Sequence, residues 1–284
     1  MTSDVFFWWY SLCGIAALNV IAWTSVAAFT TRRQGTIPGD AYAMCRLQMV
    51  LSGVYVFGCA FRSALPVFDV PRLVLFDSVL SNVIVGRSVA TLAELCFVGQ
   101  WALLLSATAR VTGAVTARIV SKTVVPLIVI AEVCSWNAVL TTSNLGHVIE
   151  ESLWGVSAAL LAISMMGIWP RCPRTWRPAL VAACFAAVAY VFYMFLVDVP
   201  TYWSRWVADE ASGRQYLSIV QGIRDVSSHR VVSHQWQDWR SEIVWMSLYF
   251  SVAVWISIWL ILVSYRQTKS FAGGKLRRSK LQST

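Results

Sequence analysis

Apolar residues run through this chain in long blocks. Seven are broad enough to cross a hydrocarbon core, which takes about 20 residues of helix. They cover roughly Val5–Phe29, Tyr42–Phe61, Ser88–Ala109, Thr123–Leu140, Leu153–Ile168, Ala179–Val197 and Ile243–Val263. The fifth is the shortest and reaches full length only if its helix begins near His147. Pro66, Pro71, Pro170, Pro173 and Pro200 fall at or beyond block ends, as helix punctuation should. Pro126 and Pro178 sit in predicted first turns, where the missing N–H is harmless. The pattern predicts an all-α polytopic membrane protein with seven transmembrane helices in one domain, residues 1–265.

Two polar stretches complete the chain. Residues 198–240 open with Tyr202, Trp203 and Trp206, and Tyr216, Leu217, Val220 and Ile223 then recur at helical spacing. This predicts an extracytoplasmic loop of amphipathic helices lying at the membrane surface, which shields helix ends or covers a cavity. Residues 266–284 predict a basic, disordered cytoplasmic tail that meets anionic lipid head groups.

Charge sets the expected orientation. The loops on one side carry Arg32 and Arg33; Arg110, Arg118 and Lys122; Arg171, Arg174 and Arg177; and the basic tail. The opposite side collects almost all the acids. Short basic loops face the cytoplasm, so the N-terminus is expected outside and the C-terminus inside, in a plasma or inner membrane. No basic residue precedes Val5, which argues against a secretory leader; Val26-Ala27-Ala28 leaves cleavage open as the alternative.

Composition agrees with a bilayer as solvent. Hydrophobic residues make up 57% of the 284 and charged ones 13%, against about 45–50% and roughly 25% in a soluble domain. The net charge of +9 does not indicate nucleic acid, because the cations sit between apolar blocks and not on one soluble face. The seven cysteines lie mostly inside apolar blocks and form no CxxC pair, so they read as small buried residues. Many of the tryptophans lie near block ends, as interfacial belts do.

The candidate chemistry is acidic. Glu94 and Glu132 each interrupt an apolar block, within the similar runs Ala93-Glu94-Leu95-Cys96 and Ala131-Glu132-Val133-Cys134. An ionised group there costs roughly 2.5–3.5 kcal/mol even on a lenient scale, so its default reading is functional. The alternative is that each glutamate only glues helices together, through Asn137, Gln100 or a serine. Arg87 lies seven residues before Glu94, on the same helix face but about 10 Å away along the axis.

His147, Glu150 and Glu151 share a helix face at i, i+3 and i+4. His147 with Glu151 is a candidate pair for a divalent metal, the one cofactor this set suggests. Glu150 is explained by the helix dipole alone, with Asn144 as the cap. Asp198, at the predicted end of the sixth helix, needs a cationic partner, whereas Glu242 opens the seventh helix and is accounted for by the dipole.

The expected site therefore has Glu94, Glu132, Glu151 and Asp198 as catalytic groups. Arg87, Arg62, Trp136, Asn144 and Glu242 line the substrate. Haem is excluded because no histidine lies deep within a helix, and retinal because the last helix has no lysine. The leading expectation is a membrane-embedded enzyme acting on a lipid or other apolar substrate near the outer leaflet. A transporter using Glu94 and Glu132 for proton or cation coupling stands beside it, as does a structural subunit of a membrane complex.

Overall fold

The computed structural model describes residues 2–33 and 39–267. Among these, seven helices are long and apolar enough to cross a membrane: Asp4–Arg32, Tyr42–Ala64, Val83–Thr112, Val115–Thr141, Asn144–Arg171, Arg174–Ala211 and Trp236–Gln267. The protein is mostly helical, and each predicted apolar block lies in one of these helices. Of the basic tail, residues beyond Gln267 lie outside the described residues.

In chain order the elements are α1 (Thr2–Arg32), α2 (Gly39–Ala64), strands β1 (Val67–Phe68) and β2 (Leu73–Val74), α3 (Val83–Thr112), α4 (Val115–Thr141), α5 (Asn144–Ile168), α6 (Arg177–Tyr193), α7 (Val199–Ala211), α8 (Ile219–Ser228), β3 (Val231–Val232) and α9 (Trp236–Leu248).

Four sequence expectations need correction. α4 begins at Val115 and not near Thr123, so Pro126 lies inside the helix. In an apolar setting the helix is the one way to bond the remaining backbone groups, which outweighs one lost N–H. The sixth helix does not end at Val197: a π-helical turn, Met194–Asp198, joins α6 directly to α7. In that turn the Val199 N–H bonds the Met194 carbonyl five residues back, and this change of register carries the chain past Pro200. Asp198 is therefore no helix C-terminus, although it is buried. Asn144 does not cap α5; Ser143 holds that position without a side-chain bond, and Asn144 Nδ2 donates to Asp209 Oδ2 at 2.9 Å. Glu242 does not open the last helix, which starts six residues earlier at Trp236.

The described residues fall into two compact units. The first comprises Met1–Ala64, Leu92–Gln100 and His234–Thr284; the second comprises Leu65–Thr91 and Trp101–Ser233. α3 contributes to both.

Amide side chains join the helices of the first unit. Gln48 Nε2 donates to the Gln100 carbonyl at 2.8 Å, and Gln100 Nε2 returns a bond to the Gln48 carbonyl at 3.2 Å. The Ser257 hydroxyl sits 2.9 Å from Ser52 Oγ and 2.5 Å from Gln100 Oε1. A second π-helical turn, Tyr249–Ala253, follows α9. Asn19 Nδ2 donates 2.8 Å to the Phe250 carbonyl in that turn, and Trp255 Nε1 donates to Asn19 Oδ1 at 2.8 Å. A turn that breaks the regular ladder thus finds a side-chain partner, as buried backbone must.

In the second unit α4 packs along α5, which also packs on α6 and α7, while α8 lies across α4. Gly146 permits the α4–α5 approach: a Cβ there would overlap the Cys134 carbonyl and Ala138. Gly222 does the same for α8 against the Leu140 carbonyl. The expected amphipathic α8 is present, opened by a reciprocal Ser218–Gln221 capping box. Gly222 and Val226 form its buried side, whereas Val220 and Ile223 are exposed.

A small sheet unforeseen in the sequence holds the connections: β1 pairs antiparallel with β2, and β2 parallel with β3. Arg72 pins it. The residue adopts a left-handed backbone conformation (φ 58°) in the β1–β2 turn. Its guanidinium donates to Asp225 Oδ2, the Asp69 carbonyl and the Val139 carbonyl, each at 2.7 Å.

Candidate functional site

The second unit's part of the site assembles where the beginnings of α3 and α5 meet α4. Arg87 comes from α3, Glu132 from α4, and His147 and Glu150 from α5. Arg87 Nη2 donates to Glu132 Oε2 at 2.9 Å and to Glu150 Oε1 at 2.7 Å. All three side chains are almost fully enclosed, at 4–6% exposure. Asp69, in the β1–β2 turn, stands 3.8 Å from Arg87 Nη1. One guanidinium thus has three carboxylates about it.

Hydrogen bonds extend the cluster in both directions. On one side the other oxygen of Glu150, Oε2, lies 2.7 Å from His147 Nδ1. The His147 ring stands 4.9 Å from that of Tyr202, and the Arg205 guanidinium lies 5.1 Å from the Tyr202 ring centroid. On the other side Thr91 Oγ1 donates to Glu132 Oε2 at 2.6 Å, and Trp136 Nε1 donates to Thr91 Oγ1 at 3.1 Å. Glu132 Oε1 and Asp69 Oδ1 are buried with no hydrogen-bond partner among the described residues.

Local sequence explains the convergence. Arg87 and Thr91 are one turn apart on α3, as are Glu132 and Trp136 on α4, so each pair shares a helix face. His147 and Glu150 share a face of α5 immediately after Gly146, whose missing Cβ lets that face approach α4. Counted as ionised, three carboxylates face one arginine and one histidine. Cations are outnumbered in this set, and Glu132 Oε1 and Asp69 Oδ1 are the acceptors left without a donor among the described residues. His147 and Glu150 also offer metal-ligand atoms, with Nε2 as the imidazole nitrogen not directed at Glu150.

Of the residues singled out in the sequence, Arg87, Glu132, Trp136 and His147 meet here. Glu151 is buried beside them, but the bonds to Arg87 and His147 belong to Glu150. The helix-dipole explanation of Glu150 is therefore inadequate: a carboxylate 3% exposed and bonded to arginine is held by a partner and not by a terminus. Asn144 and Asp198 lie in the same unit; Asn144 ties α5 to α7 through Asp209.

Glu94, Arg62 and Glu242 belong to the first unit. There Tyr249 donates its hydroxyl to Glu94 Oε1 at 2.9 Å, and Ser241 Oγ donates to Glu242 Oε1 at 3.1 Å. Sequence reasoning missed Thr91 and Asp69. Thr91 sits one turn from Arg87 and could have been found by helical spacing; Asp69 lies in a turn with no periodic signal.

No protein-family model matches this chain, nor does any curated protein or solved structure.

Proposed function

We propose that this chain is a multi-pass membrane protein and a membrane-embedded enzyme that performs acid–base chemistry on a lipid or similarly apolar substrate. The observation that carries the reading is the His147–Glu150 pair, held by Arg87. A carboxylate bonded to Nδ1 fixes the imidazole tautomer and stabilises the imidazolium that forms when Nε2 takes a proton. Arg87 locks the Glu150 carboxylate from its other oxygen. Glu132, with Oε1 open, is the second proton carrier. The arginine's own Nη2 is engaged by both glutamates, so its role is to position them and not to bind an anionic head group. The N-terminus lies outside and the C-terminus inside, following the basic loops, and anionic lipids meet the basic tail.

The excess of carboxylates over cations favours one other reading, proton coupling in a transporter. Both are tested on purified protein reconstituted in vesicles made from the lipid extract of its host membrane. Mass spectrometry of those lipids after incubation should show a product that His147→Gln and Glu150→Gln abolish while the protein stays folded. No product, together with a proton flux that Glu132→Gln removes in vesicles carrying a pH dye, would replace the enzyme with the transporter.

A further inference from the structure

The first unit holds a buried cation, Arg62, with no carboxylate at salt-bridge distance among the described residues. Arg62, in the last turn of α2, is 3% exposed, and its Nε and Nη1 have no hydrogen-bond partner among the described residues. It stands over a ring face: the guanidinium carbon is 6.0 Å from the Phe250 centroid. Tyr55 and Cys59, both buried, share its helix face at i−7 and i−3. The Tyr249 ring lies 5.9 Å from that of Tyr55 and 5.2 Å from that of Phe250. The Tyr249 hydroxyl is itself given to Glu94 Oε1.

Arginine cannot shed its charge to escape this setting. A buried cation left without an anion is strongly destabilising. The carbonyl end of α2 favours it, but a helix dipole is a fraction of a charge. The cation–π contact is at the outer limit of its range. Neither replaces the two missing hydrogen bonds.

We propose that Arg62 is an anion-binding site that takes phosphate oxygens on the donors left unpaired at Nε and Nη1. The last turn of a membrane-length helix is at head-group depth, so the phosphate comes from a phospholipid or from solution. The proposal stands apart from the acid–base reading of the second unit, and each can fail without the other.

The test uses full-length protein stripped of lipid in a non-ionic detergent. It is titrated in separate arms with short-chain phosphatidic acid and with sodium phosphate, following thermal unfolding and the fluorescence of Trp245, which stacks on Tyr249 at 5.0 Å. Wild type should show a saturable rise in unfolding temperature in at least one arm; the arm that responds identifies the source. Arg62→Met should unfold no earlier than wild type before any anion is added, because it removes an uncompensated charge, and it should not respond to either anion. Arg62→Lys keeps a charge but not the guanidinium's fixed, planar donors, and should bind at least about tenfold more weakly. The proposal is overturned by a wild type silent in both arms, by R62M responding as wild type does, or by R62K binding with undiminished affinity should R62M not fold.

Discussion

Arg87 Nη2 donates to Glu150 Oε1 at 2.7 Å, and the same nitrogen serves Glu132 at 2.9 Å. One buried guanidinium therefore supports two buried carboxylates, and removing it strands both. Arg87→Met is expected to destabilise the protein by about 3–5 kcal/mol, the usual result of breaking a buried pair from one side. Adding Glu132→Gln and Glu150→Gln to Arg87→Met should recover at least half of that loss, since neutral amides need no counter-charge. Denaturant unfolding of the purified protein in detergent measures both. A triple variant no more stable than the single one would mean that the carboxylates do not depend on Arg87.

Thr91 links Trp136 to Glu132, accepting from the indole and donating to the carboxylate. Thr91→Val leaves the volume nearly unchanged and deletes both bonds. A hydrogen bond to a charged group contributes about 1.5–3 kcal/mol, so a loss in that range is expected. The indole N–H also loses its acceptor, which should shift Trp136 emission to shorter wavelength. In a Trp136→Phe background the T91V shift should vanish.

The closeness of α4 and α5 rests on Gly146. Any side chain there meets the Cys134 carbonyl and Ala138, neither of which can swing aside as a flexible tip would. Gly146→Val should force the helices apart, with a stability loss of roughly 1–3 kcal/mol from overpacking. Because His147 and Glu150 ride on the same turns, the proposed proton chemistry should fall with it. Gly14, with nothing near its Cβ position, is the control: Gly14→Ala should leave both unchanged.

Much of this was legible in the apolar blocks. Each predicted span lies within one observed helix, because block length alone decides whether a helix can satisfy its backbone across a bilayer. The failures cluster where local signals compete. Pro126 reads as a first-turn residue and Pro200 as punctuation, yet a helix whose neighbours are apolar has no alternative to continuing, and a π-helical turn absorbs the second. Glu150 was set aside because an acid near a helix start already has an explanation, although that explanation does not account for full burial. The sheet around Arg72 left no trace, since its two-residue strands are below the length at which alternation can be seen. Glu132 is visible as a charge in an apolar block, Arg87 and His147 by their helical spacing to acids; their meeting depends on the approach that Gly146 allows, which requires the packing to be known.

Cys172 reports on orientation. It lies between two membrane-length helices, Asn144–Arg171 and Arg174–Ala211, on a connection that the proposed topology puts inside. Partial burial pushes its thiol pKa up, and the Arg177 charge offsets part of that rise. A raised value means less thiolate at any given pH, so the side chain should react with maleimide more slowly than a free thiol at pH 7 and gain about tenfold per pH unit while it remains below its pKa. In a variant retaining Cys172 alone of the seven cysteines, a membrane-impermeant maleimide should label nothing on intact cells at pH 8 and label Cys172 once they are permeabilised. Ser212→Cys in the cysteine-free background, at the exposed end of α7, should be labelled on intact cells. The reverse pattern would turn the topology over and place the His147–Glu150 end of α5 at the cytoplasmic face, and with it the leaflet from which a substrate must enter.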